Sequence, residues 1–507
     1  MGFVWNFPLF TIVLSLFSGV LCTILPGKTA KKYTMIYEGI LVILVGCVFI
    51  YTLRTGASFT YPMGEFPAPW GNEIRGGLLE ALLALAFLCV MLCSVSAGER
   101  FVLVDMDNSK VNLFYSLVNL MTAAIMALIW TNDLFTGYVF LEILTLTSCG
   151  IQVVREIGRT TLAAMRYMLL NLMGSGLFLL GVVLLYDMTG HLLMVNMHQA
   201  VDQIAADPSH LGALSLAIGI LTIGLGIKSG LFPFHFWMPD TYGRATPTAA
   251  ALLSSLVSKA YIFLLIKIYY RVVGMEVISL LPIGRILLVL GMCGVVFGSV
   301  SAIRADNINR MVAFSSAAQI GYIFMGIGIG GTAGYTAAIF HILAHAVTKS
   351  QLFLSTPRLS EVSGNSLLFR KLQGAAFRSR NAGRFFAIGA LSMIGIPVFA
   401  GFSSKILFGV AAYDSHSPLK FILVLLVLAV SSLLNALYFI RTLIRIYTAP
   451  SEAKAVEYLS LAEKYRENDR SLTYVAPSLA LSAANVFLGL FSWVVVELIQ
   501  RGLTMFA

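Results

Sequence analysis

The chain has 507 residues, of which 58% are apolar and only 11% are charged. Ordinary globular proteins carry about 25% charged residues, so the solvent around most of this chain is lipid. This composition excludes soluble enzymes, DNA-binding domains and disordered regulators. The net charge of +10 does not indicate a nucleic-acid partner, because basic residues in membrane proteins mark orientation.

Fourteen apolar stretches are long enough to cross a membrane as helices, which need about 20 residues each. They are continuous rather than alternating, so they differ from the strands of a membrane β-barrel. The first has its basic residues after it and not before it, which predicts a retained span and not a signal peptide. The predicted spans are 4–25, 34–53, 77–97, 112–131, 134–152, 162–187, 211–234, 246–270, 279–301, 309–330, 334–356, 384–411, 419–446 and 473–499.

The lysines and arginines predict the orientation of these spans. Of the 34 basic residues, 22 lie in loops that follow odd-numbered spans and 6 lie in the opposite loops. Because basic loops stay cytoplasmic, both termini are predicted to lie outside. Arg166 and Lys267 lie near span ends and are expected to reach the surface. The four remaining lysines lie inside spans, where each costs at least about 3 kcal/mol, and they are Lys228, Lys259, Lys349 and Lys405.

Acidic residues within the spans are rarer still. Glu38 and Glu497 are expected near span ends, Glu80 begins the third span, and Glu142 lies in the middle of the fifth. Glu142 is therefore the natural counter-charge for a buried lysine, and such a pair attracts by roughly 4 kcal/mol at 4 Å. A pair that forms and breaks would switch the lysine between holding and donating a proton. A static pair that fixes helix packing is the alternative.

Lys228 and Lys405 lie in spans that glycine and proline interrupt. Gly230 and Pro233 follow Lys228, and Pro397 precedes Lys405. We expect the seventh and twelfth helices to break near the membrane midplane, where a break frees backbone carbonyls and half-helix ends. Paired broken helices in the two halves of a chain indicate an ion pathway.

The offset of 177 residues between these two lysines fits two five-span repeats of opposite topology. At nearly matching offsets, the first repeat has Glu142 and Lys259 where the second has Gln319 and Asn435. We predict four segments along the chain. They are an N-terminal three-helix segment at 1–110, a first repeat at 111–271, a second repeat at 279–447, and a surface helix with the last span at 448–507.

The eleventh span carries His341, His345 and Lys349, spaced four residues apart on one helix face. Histidine titrates near neutral pH, so this stripe is typical of a proton-transfer chain. Plain packing and a metal site remain alternatives, although no carboxylate is near in sequence.

Other motifs are weak or absent. His235 and Asp240 fit a helix-capping role or proton uptake, and residues 451–470 predict a cytoplasmic surface helix, with partner docking as an alternative. No Walker A sequence exists, so ATP does not drive the chain directly. No cysteine pair has C-x-x-C spacing, which predicts no iron–sulfur cluster, zinc site or other cofactor. The cysteines, expected to be small core residues, are Cys22, Cys47, Cys89, Cys93, Cys149 and Cys293.

The sequence resembles the antiporter-like membrane subunits shared by respiratory complex I, energy-converting membrane-bound hydrogenases and Mrp-type Na+/H+ antiporters. The resemblance covers about residues 75–445. The motifs that carry it are Lys228-Ser-Gly-Leu-Phe-Pro-Phe-His-Phe-Trp-Met-Pro-Asp240, Ala245-Thr-Pro-Thr248, 254–259, 311–322, His341-x-x-x-His345-x-x-x-Lys349 and Gly395-Ile-Pro397 with Lys405.

The resemblance implies an all-α polytopic fold of about fourteen helices and a glutamate–lysine pair at Glu142 and Lys228. It also implies a central Lys259, from which His341, His345 and Lys349 lead in that order to Lys405. The chain would carry no redox centre. A partner's redox reaction would drive it, through an iron–sulfur or hydrogenase-like peripheral arm and further antiporter-like subunits, in a prokaryotic cell membrane.

Three other readings stay open. The chain could belong to a multi-subunit Mrp Na+/H+ antiporter, to a stand-alone solute transporter, or to a structural scaffold with inactive channels. The residues do not distinguish H+ transport alone from transport that includes Na+. The stretch at 61–79 favours the hydrogenase-linked relatives.

Overall fold

The computed structural model describes residues 2–66, 71–449, 460 and 463–506. Within these residues, thirteen helices are long and apolar enough to cross a membrane. The predicted twelfth span is the one that differs, because it forms two helices of 15 residues each. The prediction of an all-α polytopic membrane protein is therefore confirmed.

The first part of the chain forms twelve helices and one β-hairpin. Strands β1 (Phe59–Pro62) and β2 (Glu73–Gly76) pair antiparallel, with Phe59 opposite Gly76. The helices are α1 Phe7–Ile24, α2 Gly27–Thr55, α3 Leu78–Asp105, α4 Val111–Trp130, α5 Leu134–Val153, α6 Gly158–Thr189, α7 Met194–Ala205, α8 Leu211–Ser229, α9 Met238–Arg244, α10 Pro247–Leu252, α11 Ser258–Ile268 and α12 Met275–Leu280. Single π-helical turns follow α10 at Leu253–Val257 and α11 at Tyr269–Val273.

The described residues after α12 add ten helices. They are α13 Ile283–Arg304, α14 Ile308–Ile329, α15 Gly331–Glu361, α16 Ala375–Arg378, α17 Arg380–Ile394, α18 Ala400–Asp414, α19 Pro418–Tyr447, α20 Arg466–Arg470, α21 Leu472–Leu490 and α22 Ser492–Thr504. Short 3-10 turns lie at Gly2–Asn6, Met63–Glu65, Pro208–His210, Phe234–Trp237 and Phe369–Lys371. The inverted repeats and the four segment boundaries stay predictions.

The interior of the bundle is formed by the segments that carry Lys259 and Lys349. Residues 247–273 and α15 are enclosed on all sides, and α14 is almost so. In contrast, α2 and α19 have only a third of their apolar stretch buried, so their outer faces are left for lipid. Titratable groups on α11 and α15 therefore cannot reach lipid or bulk water by rotating a side chain.

Both predicted helix breaks are present. Helix α8 ends at Ser229, where Gly230 adopts a left-handed φ of 81° and Pro233 offers no backbone N–H for a continued helix. Helix α17 ends at Ile394, where Gly395 has a φ of 95°. Each break leaves backbone carbonyls free for side chains inside the membrane.

The loop between α17 and α18 is strained and tightly packed. Val398 has a φ of 83°, which a β-branched residue rarely adopts and which costs about 1–3 kcal/mol. Its carbonyl lies against Gly489 of α21, where a Cβ would sit 2.0 Å from the Val398 oxygen. This contact with α21 encloses the strained turn that precedes Lys405.

Most of the predicted cytoplasmic surface helix at 451–470 lies outside the described residues. Its final part forms α20, and the Asp469 carboxylate there binds the start of α17. It accepts hydrogen bonds from the Ser379 hydroxyl at 2.6 Å and from the backbone N–H groups of Asn381 and Ala382 at 3.1 and 3.3 Å. Asp469 therefore caps a helix from a distant part of the chain.

The expectation that all six cysteines are core residues was wrong for two of them. Cys22 is buried between α1, α2 and α4, but Cys47 and Cys89 are exposed on the sides of apolar helices. In a membrane, apolar helix faces point both inward and outward, so an apolar sequence environment does not separate core from lipid-facing positions.

Candidate functional site: a line of buried lysines and histidines

Lys228, 1% exposed, lies in the last turn of α8. Its Nζ donates to Thr145 Oγ1 at 2.6 Å and lies 5.4 Å from the ring centre of Tyr261. The Thr145 hydroxyl donates its own hydrogen to the Leu141 carbonyl at 2.9 Å, so its oxygen is free to accept from the lysine. The ammonium is therefore held by neutral groups.

Glu142 lies on the same helix as Thr145 but does not pair directly with Lys228. Among the described residues, no ion pair within 4.0 Å includes Glu142, and its buried Oε1 accepts no hydrogen bond. Glu142 lies one helical turn before Thr145, whose hydroxyl accepts from Lys228. The structure therefore corresponds to the open arrangement of the predicted glutamate–lysine pair.

Lys259 is fully buried and directly follows a π-helical turn. Its Nζ donates to the backbone carbonyl of Ser254 in that turn and to the Ser258 hydroxyl at 3.2 Å. Single π-helical turns inside α-helices occur frequently at functional sites. Here the wide turn lets a long side chain fold back onto its own helix.

Two serine side chains of α14 lie between the segments that carry Lys259 and Lys349. The hydroxyl of Ser254, whose carbonyl accepts from Lys259, lies 2.9 Å from the Ser316 hydroxyl. The preceding residue, Ser315, accepts a hydrogen bond from Lys349 Nζ, which also donates to a backbone carbonyl of α14 at 2.9 Å. Lys349 is fully buried, and both of its acceptors are neutral.

His345 and His341 follow on α15, with stacked rings whose centres are 6.0 Å apart. In the described part of the chain, neither ring nitrogen of His345 has a hydrogen-bond partner, and neither has Nε2 of His341. Nδ1 of His341 lies 2.7 Å from the Ser404 hydroxyl. Buried polar atoms without partners are costly, so three of them on adjacent rings indicate a role beyond packing.

Lys405 follows Ser404 and ends the line. Its Nζ donates to the carbonyl of Ile394 at 2.6 Å and to the Ser432 hydroxyl at 2.8 Å. Ile394 is the last residue of α17, so the ammonium lies at the negative end of a half-helix dipole. The twelfth-span break therefore supplies the acceptor that holds this lysine.

These contacts bring all seven predicted residues into one arrangement but change their order. The predicted order ended with Lys349 next to Lys405. Instead His341 reaches Ser404, and Lys349 lies about 12 Å further along α15, on the side of Lys259. Spacing along one helix predicts a shared face but not which end of that face meets a given neighbour.

The metal alternative for the two histidines requires a third ligand. The described residues contain no group of three His, Cys, Asp or Glu side chains that could hold a metal ion. The neighbours of His341 are instead Tyr322 and Phe408, with ring centres at 5.4 and 5.6 Å.

Sequence reasoning missed a second buried charge cluster. Lys267, expected at the surface, is fully buried. Its Nζ donates to two backbone carbonyls at the end of α4, at 2.5 and 2.7 Å, and lies 3.9 Å from Glu80, which pairs with Arg75 at 2.5 Å. Arg75 comes from β2 and donates to the carbonyl of Met505, so the hairpin and the C-terminal residues cover this end of the bundle. The sequence did contain a signal for this cluster, because four charged residues lie near the ends of spans on the same predicted side of the membrane. They are Arg75, Glu80, Lys267 and Arg271.

The position of Arg166 agrees with expectation. Arg166 is exposed and lies 3.3 Å from Asp240, which also pairs with Arg244 at 3.1 Å. A cavity of about 260 Å³ opens near the C-terminal end of α19, and Tyr438 and Thr442 are among its lining residues. Tyr438 donates at 2.7 Å to Asn435, whose amide donates to the carbonyl of Met393, one residue before Ile394.

The sequence was also compared with known proteins. Residues 131–432 match the family model described as NADH:quinone oxidoreductase/Mrp antiporter, transmembrane. The NADH-quinone oxidoreductase subunit N of Desulforudis audaxviator is 32% identical over 454 residues, which are 87% of this chain and 86% of that protein.

Two solved structures share the fold. A chain of the Mrp complex from Dietzia sp. superposes with a TM-score of 0.85 at 23% identity, over 99% of this chain and 97% of that one. A chain of an archaeal membrane-bound sulfane sulfur reductase superposes with a TM-score of 0.78 at 24% identity, over 98% and 99%.

Proposed function

Because this chain belongs to the NADH:quinone oxidoreductase/Mrp antiporter transmembrane family, we propose that it is a proton-translocating subunit of a redox-driven membrane complex. The complex would be of the complex I or energy-converting hydrogenase type. Glu142, Lys228, Lys259, Lys349, His345, His341 and Lys405 are the proposed proton-transfer groups.

The observation that carries this proposal is the set of neutral hydrogen-bond partners around these buried groups. The Thr145 and Ser315 hydroxyls accept from Lys228 and Lys349, and the Ser404 hydroxyl lies beside His341. Lys259 donates to the Ser258 hydroxyl and to the Ser254 backbone carbonyl. Hydroxyl groups both donate and accept, so they can relay a proton between an ammonium and its neighbour. Water molecules could bridge the gaps between these groups, and the histidine nitrogens that lack hydrogen-bond partners would hold them. A static ion-pair network would need counter-charges, and no described ion pair includes any of these lysines.

The redox-driven assembly is supported by the 32% identity to a NADH-quinone oxidoreductase subunit. Electrons would travel in an iron–sulfur or hydrogenase-like peripheral arm, and further antiporter-like membrane subunits would adjoin this one. We place it in a prokaryotic cell membrane with both termini outside, on the distribution of basic residues. An Mrp-type Na+/H+ antiporter is the alternative assembly, and Na+ transport remains its distinguishing property.

The test is to tag the chain, purify its complex from native membranes and identify the subunits. Proton uptake into inverted membrane vesicles is then measured with a reductant and an electron acceptor supplied. Copurifying iron–sulfur or hydrogenase-like subunits, together with uptake that stops when the acceptor is removed, would support the proposal. A complex of antiporter subunits alone, with uptake that requires a Na+ gradient, would favour the alternative.

A further inference from the structure

A second buried titratable group lies in the N-terminal helices, outside the family match at 131–432. Glu38, which the sequence suggested was near a span end, is fully buried in α2. It lies about 17 Å along this helix from Gly27, because α2 begins several residues before the apolar stretch. Its carboxyl group therefore lies at membrane depth.

The groups around Glu38 are polar but uncharged. Helix α1 contributes Ser15 and Ser18, and α4 contributes Asn119 and Thr122; the Asn119 amide donates to Ser18 at 2.9 Å. Tyr37, the neighbouring titratable residue, hydrogen-bonds with Ser15. Cys22 and Thr34, which the Asn119 amide also contacts, complete the surroundings.

No cation balances this carboxyl group. None of the ion pairs within the described ranges includes Glu38, and Lys31, earlier on the same helix, pairs with Glu99 of α3. Oε2 of Glu38 is buried and has no hydrogen-bond partner there. An isolated ionised carboxylate at this depth is strongly disfavoured unless a proton or another cation neutralises it.

The hydrogen bonds of Thr122 leave room for a protonated Glu38. The Thr122 hydroxyl oxygen lies 2.7 Å from Glu38 Oε1 and 3.0 Å from the carbonyl oxygen of Val118. A hydroxyl has one hydrogen, and a backbone carbonyl can only accept. If Thr122 donates to Val118, the second contact is a hydrogen bond only when Glu38 itself donates.

We propose that Glu38 is a proton-binding site, occupied at neutral pH, in which the carboxylic acid donates to Thr122 and Thr122 donates to Val118. The site is separate from the lysine–histidine line. Thr122 and Leu256, a residue of the π-helical turn before Lys259, line one apolar void that is too narrow for a water molecule. The inference does not depend on the proposed function.

The test is infrared difference spectroscopy of the purified complex at neutral pH, wild type minus Glu38→Gln. Glutamine keeps the size and neutrality of the acid, and its amide can donate to Thr122. We expect the wild type to contribute the C=O stretch of a protonated carboxylic acid, shifted in deuterated water. The matched control is Glu497→Gln, which removes an exposed carboxylate paired with Arg501 and should remove only ionised-carboxylate bands.

Three further outcomes keep the proposal falsifiable. Carboxylate bands alone in the Glu38→Gln difference would overturn it, and so would loss of the acid band when Na+ is added, since Na+ would then occupy the site. If Glu38→Gln does not assemble, Thr122→Val replaces it. Removal of the acceptor should shift the acid band without abolishing it, and an unchanged spectrum would contradict the proposed hydrogen bond.

Discussion

The two broken spans hold their lysines in different ways. Lys228 lies before its break and contacts a hydroxyl group and an aromatic ring, and Glu142 lies one helical turn from that hydroxyl. Lys405 lies after its break and donates to the last carbonyl of the preceding half-helix. A titratable neighbour can change the first lysine during a cycle, whereas a fixed backbone dipole holds the second. The environment of Lys228 therefore suits a proton affinity that changes during the cycle, and the environment of Lys405 suits one that stays constant.

The largest expected effect is the loss of either lysine. Lys228→Ala and Lys405→Ala should each lower coupled proton translocation by about 100-fold or more, because a positioned proton donor contributes at least that factor. Proton uptake by vesicles checks this, with Lys420→Ala, on the outer side, as the control. Normal uptake in an assembled Lys228 or Lys405 variant would remove that residue from the pathway.

Glu142→Gln should lower translocation by about tenfold, which corresponds to roughly 1.4 kcal/mol of lost interaction with Lys228. A double-mutant cycle sharpens the comparison: Glu142→Gln should have no further effect when Lys228 is already alanine. Glu497→Gln is the neutral control. Independent effects of the Glu142 and Lys228 variants would show that the acid does not act through this lysine.

Ser404→Ala should lower translocation by about fivefold, because one hydrogen bond between neutral groups contributes about 1 kcal/mol. It removes the hydroxyl between His341 and the residue before Lys405. The matched control is Ser403→Ala, since the Ser403 hydroxyl donates instead to the Gly489 carbonyl at 2.8 Å. Equal losses in both variants would indicate damage to packing and not to proton transfer.

The smallest expected effect is a change in stability at the N-terminal end of α17. Asp469→Ala should lower the free energy of unfolding by about 1 kcal/mol, because it removes a carboxylate that caps this helix. Thermal unfolding of the purified complex measures this effect, with the exposed Glu467→Ala as the control. An unchanged transition would mean that the cap does not stabilise the second half.

Much of the fold follows from the sequence because lipid imposes simple rules. A helix must satisfy its own backbone hydrogen bonds in hydrocarbon, so apolar length predicts the spans. Gly230 and Gly395 mark the breaks because left-handed backbone conformations favour glycine. Buried lysines and histidines stand out for a related reason, since a charge inside a span is too costly to keep without a role.

The contacts between the residues of the site could not be predicted from the sequence, because they depend on which helices pack together. Nothing near Lys259 in sequence indicates that Ser254 would meet Ser316. Lys267 and Glu38 were misplaced for a simpler reason. Both residues lie near the end of an apolar stretch, and the prediction assumed that such a position is close to water. Lys267 is instead covered by the β-hairpin, and Glu38 is buried because helix α2 extends beyond the apolar stretch.

Helix α17 is about 22 Å long, and each of its ends makes a specific contact with another part of the chain. Its first turn binds Asp469, which belongs to the charged segment before the last span, and its last residue provides the carbonyl that holds Lys405. We expect that a neighbouring subunit that displaced this charged segment would also move the acceptor of the Lys405 ammonium. Helix α17 would then couple a binding event at the end of the bundle to the position of a buried charge.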